Sequence, residues 1–237
     1  MIKNLLKPAR KIHKWLGYLL ALQIFAWLLG GLVMSAIPLE KVHGKHLAKR
    51  HIDSPFSRQH YTADLNLLTN TMSQLTSVSF IHFLDTPVIK AIGQQTHWFN
   101  GISGKVLAQP IEQDIHKQAY LHYLGKGKIA SSHYFASGPR EIGYKKHVWQ
   151  VTFNDWQNTT IYLNAHSGEI ITIRSNIWRI FDFFWMLHIM DYDERDDFNN
   201  PLLISFATIS VLFCLTGMLL LFQSRPRRKR NIRKASS

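Results

Sequence analysis

Histidine is the residue type whose spacing here could do chemistry. His13 is followed by Gly17 and Ala21, four residues apart each time. That spacing puts all three on one face of a helix. Small residues beside an imidazole let a flat ligand or a second helix come close. Ligation of a haem iron would use an imidazole nitrogen, and the glycine and alanine would leave room for the ring. The alternative is an interfacial histidine in a basic segment beside Trp15. His188 lies in RIFDFFWMLHIMDYDERDDFNN, residues 179–200. Phe181, Phe184, Trp185 and His188 fall at i, i+3, i+4 and i+7, one helical face that can lie on a membrane or against another helix. Either His188 holds a haem whose edge those aromatics shield, or the helix is an amphipathic connector.

Other polar clusters point elsewhere. Asp191, Asp193, Glu194, Asp196 and Asp197 surround Arg195. Clustered carboxylates could hold Ca²⁺ or Fe³⁺, but the spacing lacks the glycine and terminal glutamate of an EF-hand loop. A solvated loop is the expectation. His43, His46, His51 and His60 crowd one segment, and His43 with His46 could meet on a helical turn. No cysteine or carboxylate completes a set in sequence, so a basic linker at the headgroups is expected and no metal site is assigned.

The elements that must position these residues follow from hydropathy. Trp15–Leu39 and Asn199–Ser224 contain no charge, and about 20 apolar residues in a helix cross a bilayer core. The formal charge is +13, with 28 basic and 15 acidic residues. Twelve of the basic residues lie in residues 1–14 and 223–237, which hold no acid, so the middle is nearly neutral. Basic tails outside two spans fit the positive-inside rule with both ends cytoplasmic. A nucleic-acid patch is the weaker reading of the same charge. The first apolar run is too long for the core of a cleaved signal peptide, so an uncleaved anchor is expected. The only cysteine, Cys214, falls in the second span, so no internal disulfide can form.

Between the spans the sequence echoes itself. THWFNGISGKVL, residues 96–107, aligns with TIYLNAHSGEII, residues 160–171. Each reads as strand, turn, strand, with Asn100 and Asn164 suited to the turn and Gly104 and Gly168 to its tight backbone. A helix is expected before each. After Thr62 it carries Leu65, Leu68, Met72 and Leu75, and after Pro110 it carries Ile111, Ile115 and Ala119. Further strands are expected at 78–84, 88–93 and 147–153. The fold class is α+β: two transmembrane helices flank a domain of two helix-plus-antiparallel-strand units. The expected boundaries are a basic tail 1–14, span 15–38, linker 39–61, domain 62–175, aromatic helix and acidic loop 176–198, span 199–223 and tail 224–237.

NAHSGEII, the aromatic strand before it, the flanking spans and the opening KIHKWLGYLLALQIFAWLLGGLVMS resemble the PepSY-associated transmembrane family over nearly the whole chain. The resemblance implies a double PepSY-like periplasmic domain on a bacterial inner membrane. Larger relatives with four or more spans include siderophore-linked ferric reductases with b-type haem, so it also implies haem b at His13, while haem b at His188 rests on the aromatic face described above. This chain has two spans. One span of about 22 residues is roughly 33 Å long, so the two histidines are not expected to grip one haem within a chain. A pair of His13 residues in a homodimer, with His188 serving a second haem, would meet the geometry.

No GxGxxG, P-loop, HExxH or G-x-S-x-G motif occurs, and no catalytic residue is assigned. Two function classes remain. One is a b-haem subunit moving electrons for ferric-siderophore reduction, as a homodimer or beside another membrane or periplasmic protein. The other is a membrane-anchored periplasmic binding or regulatory module acting on a partner protein.

Overall fold

The structure, a computed structural model, describes residues 2–52, 58–66, 72, 74–84 and 86–223. It divides into two compact units: Met1–Met34 with Phe183–Ser237, and Ser35–Asp182. The first unit is built on two long helices, α1 (Ile2–Ala36) and α5 (Pro201–Gln223). Their segments Lys7–Ala36 and Pro201–Phe222 are long and apolar enough to cross a membrane. The basic stretch expected as a separate tail continues α1 from Ile2. The C-terminal tail from 224 lies outside the described residues. Asn200 starts α5 by accepting Leu203 N–H on Oδ1 at 2.8 Å, and Pro201 takes the first helical position, where no amide hydrogen is needed.

The second unit carries the sheets. Its elements are α2 (Leu39–Val42), β1 (Ser77–Phe83), β2 (Thr86–Ile92), β3 (Thr96–Asn100), α3 (Glu112–His122), β4 (Ile129–Ser137), β5 (Lys146–Phe153), β6 (Thr160–Asn164) and β7 (Ile170–Arg174). α4 (Asn176–Ile189) leaves this unit and enters the other. Two antiparallel meanders form, β1-β2-β3 and β4-β5-β6-β7. The unit is therefore α+β. α3 buries Ile115 and Ala119 against Val151, Phe153, Ile161, Leu163 and Ile173 of the second sheet. Each fully buried aliphatic or aromatic side chain there contributes about 2 kcal/mol. The first sheet closes over a smaller cluster, Met72, Ile89, Ala91 and Phe99.

The two halves share a turn bond for bond. Asn100 Oδ1 accepts the amides of Ile102 and Ser103, both at 2.9 Å. Asn164 Oδ1 accepts those of His166 and Ser167, at 2.8 and 3.1 Å. Gly104 N–H donates to Asn100 O at 2.9 Å, and Gly168 N–H to Asn164 O at 2.8 Å. Their φ values are +70° and +67°, the left-handed region where a glycine carries no steric cost. The correspondence reaches the strand before: Gly101 N–H donates to Pro87 O, and Ala165 N–H to His147 O.

Four details differ from the sequence reading. The segment expected as a linker is folded into the second unit at its start: Val42, Leu47 and Ala48 are buried, and Ala48 bridges to Tyr123. β4 was not expected, because its Ala-Ser-Ser-His pattern carries little apolar alternation. Asn176, which the sequence offers as the cap of the aromatic helix, does not cap α4: Ser175 Oγ accepts Trp178 N–H at 3.3 Å, while Asn176 Nδ2 donates to Trp156 O. Of the helix expected after Thr62, Leu65 is helical, Leu68 lies outside the described residues, and Met72 and Leu75 are not helical.

Candidate functional site

α1 presents His13 and Gly17 to α5. A Cβ on Gly17 would stand 3.3 Å from Phe213 Cε2, and one on Gly217 would stand 3.0 Å from His13 Cε1. The two glycines let the helices close around the imidazole, which stacks on the Phe213 ring at 4.2 Å and 3°. Thr216 Oγ1–H donates to Phe213 O at 2.8 Å. A tautomer with the proton on Nδ1 donates to both nearby oxygens, Phe213 O at 3.2 Å and Thr216 Oγ1 at 3.0 Å. Nε2 has no hydrogen bond among the described residues. The small residues after His13 thus seat a second helix, one of the two occupants the spacing allowed.

His188 sits near the end of α4, exposed, with its ring 6.2 Å from that of Trp27 on α1. Gln23, one turn before Trp27, donates to Leu187 O at 2.9 Å. The Trp27 Nε1–H is buried without an acceptor. The aromatic face expected to shield His188 is divided among other contacts. Phe184 lies over Gly30, and Trp185 Nε1–H donates to Arg195 O at 3.1 Å. Trp27 stands 14 residues after His13, about 21 Å along the helix axis. Two imidazoles on one iron need their nitrogens about 4 Å apart, given metal–nitrogen bonds of about 2 Å. His13 and His188 of one chain therefore belong to separate sites.

The resemblance implies haem. The face of His13 that the small residues leave open is occupied by α5, with Phe213 stacked on the ring and Gly217 against its edge. His188 is exposed, beside the Trp27 indole. Among the described residues no group of three or more histidine, cysteine or carboxylate side chains gathers to hold a metal ion.

The acidic loop is organised by its own backbone. Asp191 accepts the amides of Asp193, Asp196 and Asp197 at 3.0–3.2 Å. The Asp197 N–H, then those of Asp196 and Asp193, hold its carboxyl below the usual range. Asn200 Nδ2 closes the loop onto Ile189 O and Asp197 O.

Sequence reasoning missed two features of the second unit. The first is a cleft of about 240 Å³ lined by Arg50, His51, Phe80, His82, His122 and Glu169 among others. At its wall, His122 Nδ1–H donates to Lys49 O at 2.6 Å and Gln118 Nε2–H donates to His122 Nε2 at 3.0 Å. Gln118 Oε1 takes Leu84 N–H at 3.0 Å. Burial pushes His122 below its ordinary value, the Lys49 bond opposes it, and the ring is neutral. The second is a half-buried ionic cluster at Glu141. It accepts from Tyr162 Oη–H and pairs with Arg179 at 3.2 Å. Burial and then Glu141 raise the Tyr162 phenol, so it stays protonated and acts as a structural donor. Its members are far apart in sequence, which left no local signal.

No family model matches the chain, and no curated protein or solved structure is significantly similar to it.

Proposed function

We propose that this chain is a membrane-embedded subunit of PepSY-associated type that binds b-type haem and serves iron reduction, working as a homodimer or beside another membrane protein. The observation that carries the reading is the pair of acceptors placed beside His13 Nδ1. A metal-ligating imidazole characteristically gives its second N–H to a carbonyl or similar acceptor, which sets the ring and raises its basicity. Phe213 O and Thr216 Oγ1 do this here. Haem, when bound, supplies one-electron carriage, the chemistry that reduction of a ferric siderophore requires. Phe213 and Gly217 hold the His13 ring in a water-poor seat, and His188 offers a second imidazole at another level of α1. A second copy would supply a further donor at each. The basic segments put both ends in the cytoplasm and the sheet domain in the periplasm of a bacterial inner membrane.

The test is the reduced-minus-oxidised spectrum of the chain in mild detergent, after expression with added haem. A Soret and α-band signal is expected, with roughly half lost in His13→Ala and in His188→Ala if each site holds one group. Thr216→Val, which keeps the helix but removes one acceptor, should shift the band and weaken retention. A colourless protein, or one whose haem content ignores both substitutions, overturns the reading.

The cleft favours a second reading: a membrane-anchored periplasmic module that binds a partner protein. A colourless chain that photo-crosslinks one partner from a probe at Arg50 would establish it in place of the first.

A further inference from the structure

His147 opens β5, and His166 sits in the turn between β6 and β7. Their ring centroids lie 5.3 Å apart with planes at 64°. We propose that this pair binds one divalent transition-metal ion. For metal–nitrogen bonds of about 2.0–2.1 Å, two imidazoles at a tetrahedral angle place their centroids about 5 Å apart. The observed spacing of 5.3 Å matches that value.

Each ring is held by its other nitrogen. His147 Nδ1 lies 2.7 Å from Tyr134 Oη, and His166 Nδ1 lies 3.0 Å from the Gln109 amide. In the ligating tautomer Nδ1–H donates to the phenolic oxygen of Tyr134. For His166 it donates to the amide oxygen of Gln109, whose two ends exchange by a half-turn. Neither Nε2 has a hydrogen bond. Trp98 stacks on His166 at 5.2 Å and 14°, clamping the ring plane.

The backbone adds an independent sign. His147 is a non-glycine residue at φ +53°, a conformation that costs about 1 kcal/mol and persists where the surroundings impose it. The first half of the domain has the same frame with Pro87 and Ile102 at the corresponding places, so the fold itself does not demand the two histidines. A tetrahedral angle is the preference of Zn²⁺, and Cu²⁺, which imidazole binds more strongly but in tetragonal geometry, serves as the spectroscopic probe. Two coordination positions stay open for water or a donor brought by a bound molecule. The site lies in the sheet domain and does not depend on haem at His13 or His188.

The experiment is a competitive Cu²⁺ titration of the full chain in detergent, with electron paramagnetic resonance of the one-equivalent sample. The parent should take up one tight ion with nitrogen hyperfine structure from two imidazoles. His147→Asn, which suits positive φ, and His166→Gln should each weaken binding at least tenfold and leave one imidazole in the spectrum. Tyr134→Phe, which leaves both ligands in place, should weaken it by about tenfold through its support of His147. His97→Ala and His133→Ala should change nothing. Unchanged affinity and spectrum in His147→Asn and His166→Gln, with the same melting temperature as the parent, overturns the proposal. So does a parent that binds no tight Cu²⁺.

Discussion

In the first half of the sheet domain the Asn100 turn is followed by a single bridge, Phe99 to Val106. In the second half the matching turn leads into a full strand, β7, paired along β6. The turns are alike, so the difference arises beyond them. Val106 is followed by Leu-Ala-Gln-Pro, and the proline cannot donate to a ladder. Ile170 is followed by Ile-Thr-Ile, β-branched residues that fit a half-buried pleated surface. Behind β7 stands a core to which α3 and the Leu47–Ala48 segment contribute, whereas the described core of the first half is four residues. A turn is written locally, but a strand lasts only where a core receives it.

That comparison can be broken by substitution. Phe153→Ala empties a fully buried site stacked on Tyr123 at 3.8 Å and should cost about 4 kcal/mol. Phe99→Ala, in the smaller cluster, should cost about 3 kcal/mol because the site can collapse further. Equal losses in guanidinium unfolding would mean that the two cores are equally rigid. Gly168→Ala is next. A Cβ there would collide with the Phe83 ring, so overpacking adds to left-handed strain for about 3 kcal/mol in all. Gly104→Ala adds the same left-handed strain, about 1 kcal/mol, and the same melts would compare the two. Asn100→Ala and Asn164→Ala each remove an acceptor of two amides and should each lower stability by about 1 kcal/mol. A clear inequality between them would show that the shared turn is not energetically shared.

The smallest effect is acid sensitivity confined to the second half. Burial alone would raise the Asp155 carboxyl. Hydrogen bonds from Thr159 Oγ1 and N, Tyr123 Oη and Gln157 N outweigh it and hold the group below its ordinary value. Its contribution is thus present above the unfolded value of about 4 and is lost as pH falls through the lower folded value. The corresponding β2–β3 turn, Gly93–Gln95, has no carboxylate. Asp155→Asn should therefore flatten the stability curve between about pH 5 and pH 2. A slope unchanged from the parent would place the acid sensitivity elsewhere.

Much of this was legible in the sequence. The two apolar helices, the echo at 96 and 160, and the helix at Ile115 and Ala119 follow from period and turn chemistry. β4 did not, because a strand of Ala, Ser and His is defined by the partner it pairs with. The docking of Leu47 and Ala48 was hidden by the charges around them, which point away while the two apolar residues turn inward. His13 was legible as a helix-packing position. The acceptors beside its Nδ1 were not, since one of them is Thr216, 203 residues away. The His147–His166 pair needs the β5–β6 register, although the echo already places His166 in a turn.

Every hydrogen bond that closes the two turns comes from the asparagine, the serine, the glycine or the main chain. The residue after the Asn–small pair, Ile102 in one copy and His166 in the other, lends only its amide. Its side chain is unconstrained by the turn, so this position is a mounting point: a new functional group can be installed there by one codon change without renegotiating the fold.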